Sequence, residues 1–390
     1  MTNEQKYLIH LLSCAIRNDI PTPPSQQVSW GKIREIADKQ KILPLLFEAV
    51  RKLEKKYQPD EELMKLWEKE TLGCTLFFSF QMQNIYSLLK DADEKGIDML
   101  LLKGMVLREL YPVPELRTMG DVDIMIKPKH RDLVKELFIS NGYEIVAEDT
   151  GPTIYHKKDV LKFEVFHFIP SGLKSAKGKE IDILSNPVKM KGEHIFMPSA
   201  EKMLLHSIAH LMKHLRTRGS GIRNLADIVL LLEKSELDMN YINEQIKELE
   251  AEKIFRGLLF AAKKYFDYKT ADDFSDVDEE YVDRLMKYML MTGVYGEMEN
   301  AYILDARTAE GNIWTRIKNY VLKMFPPPSK LSDKYEYAKK NHWLVPVAWI
   351  HRIYNIVFKE GHTFSDNIKD MKSASDTVNF QLEILEHFKL

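Results

Sequence analysis

The chain has 390 residues, 45% hydrophobic and 29% charged, with 56 Lys and Arg against 58 Asp and Glu for a formal charge of −2. That length suffices for two or three domains with buried cores, and the even charge balance excludes the global basic field of a general DNA binder. Cys14 and Cys74 alone exclude a disulfide framework or a cysteine zinc site, the opening Met1-Thr-Asn-Glu-Gln5 lacks the basic stretch of a signal peptide, and apolar runs such as Ile228 to Leu232 are too short to span a bilayer, so a reduced, cytoplasmic setting without a membrane partner is expected.

Residues 1–92 read as an N-terminal helical region. An apolar stripe at helical spacing begins at Tyr7 and is broken by Pro21-Thr-Pro-Pro24; a second carries Ile33, Ile36, Leu43, Leu46 and Val50; a long one runs from Glu61 to Lys95. The pattern then changes. Ile97 to Leu102 is a short apolar run that predicts a buried strand, followed by Gly104 and a short helix from Met105 to Leu110, which Pro112 brings to an end. Val122 to Ile126 predicts a second strand. Pro128 opens a helix and Gly142 closes it. Tyr143 to Val146, Ile154 to His156 and Leu161 to Phe168 predict three further strands, Gly172 to Lys179 a basic loop, and His194 to Met197 a last short strand. From the N-cap Ser199 onward the chain reads as helix after helix, interrupted at Pro326-Pro-Pro328. The predicted class is α+β: a small mixed-sheet core over 93–198, flanked by helical regions over 1–92 and 199–390 with a break at 326–328.

Three Asp-x-Asp strings occur, and each alone is a weak signal. Asp91/Asp93 lies at the polar end of a helix and Asp276/Asp278 in an acidic stretch, so both read as solvated charge. Asp121/Asp123 instead enters an apolar strand, where alternation points both carboxylates to one face. Two carboxylates on one face repel, and burying them unpaired is costly. A divalent cation resolves the conflict, and oxygen-only ligation suits Mg²⁺ or Mn²⁺ with phosphate oxygens completing the shell. Upstream, Leu102-Lys-Gly104 ends a strand just before a helix: glycine admits close backbone approach, and Lys103 offers a charge to a phosphate. Arg117, in the loop before the aspartates, is predicted to fork onto a phosphate. Downstream, Glu164 sits in an apolar strand as a third carboxylate suited to phosphoryl transfer, with Glu180 and Asp182 as rivals for that place.

Taken together, Leu102-Lys-Gly104, Leu110-Tyr-Pro112, Arg117, Gly120-Asp-Val-Asp123, Glu164 and then His206, His210, Arg223 and Asp227 resemble the DNA polymerase β-type nucleotidyltransferase superfamily, and more narrowly its bacterial family of uncharacterised nucleotidyltransferases, over roughly residues 90–235. The resemblance implies transfer of a nucleoside monophosphate from an NTP to a hydroxyl or phosphate acceptor with release of pyrophosphate. Asp121, Asp123 and Glu164 would be the metal-holding and catalytic residues, and Lys103, Gly104, Arg117, Gly120 and Arg223 the nucleotide contacts. The superfamily's usual glycine-serine turn is Lys103-Gly104 here, so the serine that would meet the phosphates is absent. A non-catalytic nucleotide-binding regulator and a toxin-like enzyme acting on tRNA or protein are the alternatives; the acceptor itself, small molecule, tRNA or protein, is not encoded in the motifs.

His206, His210 and His214 fall four residues apart, which keeps them on one helical face. No His-Glu-x-x-His pattern accompanies them, so a stripe facing the catalytic core, with His206, His210 and Asp227 as accessory groups, is expected. Arg223 and Asp227, also four apart, are spaced to pair across a turn.

Overall fold

The computed structural model describes residues 1–148, 151–167, 182–183, 185–217, 219–293, 328, 337–338, 341–354 and 379–390. The basic loop expected at 172–179, Glu180 and most of the proline break at 326–328 lie outside the described residues.

Helix α1 (Asn3–Arg17) starts in a capping box, Thr2 and Gln5 each satisfying the other's backbone N–H, and ends on Asn18 in the left-handed conformation. Helices α2 (Trp30–Lys39) and α3 (Leu43–Val50) follow, the first capped by Ser29 and the second opened by Pro44. Helix α4 (Glu61–Glu94), capped by Asp60, is unbroken for 34 residues, about 50 Å at 1.5 Å per residue. Its two halves serve different cores. Trp67, wholly buried, donates its indole N–H to Leu43 O at 3.0 Å within the helical body. Phe78, Met82, Ile85, Leu88, Leu89 and Ala92 cover the sheet.

The sheet contains β1 (Met99–Leu101), β2 (Asp121–Ile126), β3 (Glu144–Ala147), β4 (Thr153–His156), β5 (Lys162–Phe166), β6 (Val188–Lys189) and β7 (Ile195–Met197), in the order β3-β4-β5-β2-β1-β7-β6. It is mixed: β2 runs parallel to β5 and antiparallel to β1, and β1 runs parallel to β7. The predicted strands are present with ends that differ by one or two residues, β1, β5 and β7 being shorter than expected, β2 and β4 starting one residue earlier and β3 lying one residue later, and β6 is an addition that the short Val188-Lys189 pair did not announce. Pro128 opens a single 3₁₀ turn before helix α6 (Arg131–Ser140), and Gly142, at φ +80°, closes it. Between β1 and β2 the chain makes the four-residue helix α5 (Gly104–Leu107) and two short 3₁₀ turns.

Alternation along each strand divides the sheet's side chains between two cores. Met99, Leu101, Val122, Ile124, Ile126, Phe163 and Val165 pack beneath α4 and α6, where Phe138 stacks on Tyr155 with ring centroids 4.1 Å apart. Leu100 and Met125, cross-strand partners, face the other way into the helical body, with Phe166 and Phe196 against it. That body joins the two ends of the chain. Helices α1 to α3 pack with α7 (Ala200–Thr217), α8 (Ile222–Lys234), α9 (Met239–Glu248), α10 (Glu252–Phe266) and α11 (Glu279–Thr292). Gln40, fully buried, shows how the ends are tied. Its carbonyl accepts from Ile222 N at 2.8 Å, capping α8, while its amide donates to Met289 O and Leu290 O at 2.9 and 3.0 Å near the end of α11. Helix termini left without such partners would carry unsatisfied backbone groups in the interior. Among the described residues no helix is long and apolar enough to cross a membrane.

Candidate active site

The face of β2 that carries Met125 also carries Asp121 and Asp123, by the strand's period of two. On the parallel neighbour β5, Lys162 stands beside Asp121 and Glu164 beside Asp123 in register. Three carboxylates and one lysine from two adjacent strands are thus gathered on the sheet face that meets the helical body. The gradient of exposure across them is steep: the Asp121 side chain is 40% exposed, Glu164 22% and Asp123 3%. The group is open to solvent at Asp121 and sealed at Asp123.

Two ammonium groups hold these acids. Lys103 Nζ donates to Asp123 Oδ1 at 2.9 Å, and Lys162 Nζ donates to Glu164 Oε1 at 2.7 Å while lying 3.6 Å from Asp121 Oδ2. Burial pushes the Asp123 carboxyl up, the Lys103 charge pulls it back, and the Asp121 and Glu164 charges push it up again, leaving it near 6, well above an ordinary aspartate. For Lys162, burial works against the charge, but the bond to Glu164 and the charges of Glu164 and Asp121 outweigh it and raise the group.

Lys103 reaches Asp123 from an unusual backbone. At φ 47°, ψ −117° it occupies a region that L residues avoid and glycine accepts. The turn is locked by Val106 N and Leu107 N, which both donate to Lys103 O at 2.9 and 2.8 Å. Gly104 leaves room that a larger residue would take: a Cβ there would lie 2.7 Å from Met119 Sδ and 3.2 Å from an Arg117 guanidinium nitrogen, so the Met119 side chain would have to shift. Strain held at such a turn is characteristic of functional sites.

The loop leading to β2 is pinned from behind. Arg117, 4% exposed, closes its fork on Asp227 of α8: Nε to Oδ1 at 2.8 Å and Nη2 to Oδ2 at 2.7 Å. Tyr111 OH donates to the same Oδ1 at 2.8 Å. The fork expected to face a phosphate is therefore engaged by a carboxylate of the helical body. Arg223, one turn before Asp227, donates to Thr118 O and Thr118 Oγ1 at 2.9 and 3.0 Å, and that hydroxyl donates in turn to Lys41 O. The residues that match the resemblance on α8 act on the loop, and through it on the start of β2. Gly120 is half-buried and leads directly into Asp121.

His206 and His210 lie on α7, the first buried and the second half-buried. Neither ring nitrogen of His206 has a hydrogen-bond partner, and burial with the nearby Lys103 charge drives the ring down to about 3, so it is neutral. His210 is lowered for the same reasons and meets His214, Nε2 to Nε2, at 2.9 Å. Asp182, the described rival to Glu164, is exposed and accepts from Ser185 N at 3.1 Å. The site residue that sequence reasoning missed is Lys162. Its signal was present: two residues before Glu164 in a predicted strand, it shares that residue's face by alternation.

Among the described residues, no three His, Cys, Asp or Glu side chains are gathered to hold a metal ion by themselves. A hard divalent cation needs no such cage, since it takes one or two carboxylates and draws further oxygens from substrate phosphates. The donor set fits: oxygen-only, on one sheet face, with Asp123 buried and in need of a cation that Lys103 now supplies.

A family model described as an uncharacterised nucleotidyltransferase matches residues 26–267, well over half of the chain. No curated protein sequence matches the chain. Among solved structures, the antibiotic-resistance factor ANT(2'')-Ia in solution is 13% identical, covering 49% of this chain and 99% of that one with a TM-score of 0.32. The same protein in complex with adenylyl-2''-tobramycin is 13% identical, covering 44% and 98% with a TM-score of 0.33. An antigenic nucleotidyltransferase-like protein from Paracoccidioides brasiliensis is 16% identical, covering 49% and 94% with a TM-score of 0.30.

Proposed function

The chain belongs to the family of uncharacterised nucleotidyltransferases, and on that premise we propose that it moves a nucleoside monophosphate from an NTP to a hydroxyl or phosphate acceptor in a reaction dependent on Mg²⁺ or Mn²⁺. The observation that carries the reading is the shared sheet face of Asp121, Asp123 and Glu164, set beside the strained Lys103 turn. Asp121 and Asp123 would hold the divalent ion, with Glu164 completing the acidic face. When bound, such an ion neutralises charge on the triphosphate and polarises the phosphoryl group that is attacked.

The chain's own residues supply the rest. Glu164 takes the proton of the acceptor hydroxyl as its oxygen bonds to the α-phosphorus; the bond from that phosphorus to the bridging oxygen breaks, and pyrophosphate leaves with the electron pair. Lys103 and the close backbone at Gly104 meet the phosphates, where an ammonium and a small residue serve electrostatics and approach together. The Arg117–Asp227 pair and the Arg223–Thr118 bonds hold the loop, so that Asp121 and Asp123 keep their orientation before substrate arrives. The reading divides the chain into a catalytic core over 93–198 and helical regions on either side, with α7 and α8 as the wall of the site.

The test is to incubate the full chain with each α-labelled NTP, Mg²⁺ or Mn²⁺ and a fractionated cell extract, and to follow label onto small molecules, tRNA or protein alongside released pyrophosphate. Transfer that vanishes in Asp123→Asn supports the reading. Saturable nucleotide binding with no transfer to any fraction would replace it with the regulatory alternative.

A further inference from the structure

We propose that Lys162 is a built-in counter-cation of the acidic face, competing with divalent metal for Asp121 and Glu164 and so weakening metal uptake until an anionic substrate draws it away. The inference rests on the metal-dependent reading above. Register places Lys162 directly beside Asp121, and alternation sets it on the face of Glu164. Its ammonium lies 2.7 Å from Glu164 and 3.6 Å from Asp121, in the gap between two carboxylates on different strands. Lys103 plays the same part at Asp123. With both lysines in place the three carboxylates and two ammonium groups carry a single net negative charge. A dication entering this group meets a much weaker field than three bare carboxylates would offer.

The two lysines differ in freedom. Lys103 is 21% exposed, fixed at a locked turn and paired with an acid that is 3% exposed. Lys162 is 42% exposed on a flexible stem, against acids that are themselves partly open to water. It is the ammonium that can leave. Once released it remains on the same face, within a side chain's reach of an incoming polyphosphate. Phosphate that captures Lys162 frees Glu164 and Asp121 for metal, and metal that displaces Lys162 frees it for phosphate. The two ligands therefore assist one another through one side chain, a reciprocal coupling of the kind that linkage requires.

The experiment measures Mn²⁺ alone binding to the full chain by electron paramagnetic resonance of the free ion, with unfolding temperatures recorded for every variant. Lys162→Met and Lys162→Gln are expected to bind Mn²⁺ about tenfold more tightly than wild type, and Lys162→Arg to stay within twofold of it. Wild-type affinity in both neutral variants, with binding still lost in Asp121→Asn, would overturn the inference and leave the metal-dependent reading standing. Absence of Mn²⁺ uptake in wild type and neutral variants alike would bring down the metal-dependent reading and this inference with it.

Discussion

Arg117 and Asp227 stand 110 residues apart in the sequence and close on each other through two hydrogen bonds, 2.8 and 2.7 Å, with both side chains almost wholly buried. Tyr111 completes the arrangement from the same loop. The pair joins the segment before β2 to a helix of the flanking body, and so links the orientation of Asp121 and Asp123 to the packing of α8. Burial alone would lower the guanidinium's affinity for its proton, but the Asp227 charge and hydrogen bonds more than reverse that, so it stays charged. A guanidinium fork on a carboxylate at this depth is costly to break from one side.

Truncating either partner is expected to leave an uncompensated buried charge. Arg117→Met and Asp227→Leu should each cost about 3–5 kcal/mol, whereas the double variant should lie much closer to wild type. Denaturant unfolding of the three variants gives the coupling energy directly. Single-variant losses under about 1 kcal/mol, adding simply in the double variant, would show that the pair does not hold the loop.

The buried Asp123 should make the ligand-free protein less stable as pH rises. Its folded pKa, near 6, lies above the ordinary 3.8. Between those values the folded state binds more protons than the unfolded state, so unfolding free energy falls with rising pH through that window. Asp123→Asn removes this term. At pH 7.5 the variant should be more stable than wild type by on the order of 2 kcal/mol, with the difference vanishing near pH 3.5. Catalysis should be lost at the same time, the usual cost of stabilising a site that is held ready for charge. Paired unfolding curves at the two pH values check it, and equal stability at both would remove the claim.

His206 is expected to act in the opposite direction. Its folded pKa, about 3, lies below the ordinary 6.5, so between them the unfolded state binds more protons and stability rises with pH. His206→Leu deletes two unpartnered buried nitrogens and with them this dependence. The variant should resist acid better than wild type, by on the order of 3 kcal/mol at pH 4, and lose nothing at pH 7.5. A wild-type acid transition in His206→Leu would show that the ring is solvated as the chain begins to open.

The backbone of Lys103 predicts an unusual ordering of variants. Lys103→Ala keeps the strained φ of 47° and loses the ammonium, whereas Lys103→Gly loses the ammonium and relieves the strain. The glycine variant should be the more stable by about 1 kcal/mol, the reverse of the order expected at an ordinary position. Both should be impaired in nucleotide transfer, because both remove the group that faces Asp123. Thermal unfolding decides the first point; alanine as the more stable variant would mean that the turn relaxes once the lysine is gone.

Much of the architecture could be read from the chain because its causes are local. Period-two alternation through Val122, Ile124 and Ile126 assigned Asp121 and Asp123 to one face, proline and glycine marked the ends of α6, and the change from helical stripes to short apolar runs near residue 95 located the sheet. The same local logic reached Glu164 but passed over Lys162, because a lysine on a strand usually reads as solvated charge until its neighbouring strand is known. What only the tertiary structure decided were the partners of charged groups. Spacing suggested that Arg223 would pair with Asp227 and that Arg117 would await a phosphate, yet Asp227 is closed on Arg117 and Arg223 holds Thr118. A buried charge takes whichever opposite charge the fold brings nearest. In a chain whose two ends pack into one helical body, that neighbour was set by contacts a hundred residues away rather than by the turn of a single helix.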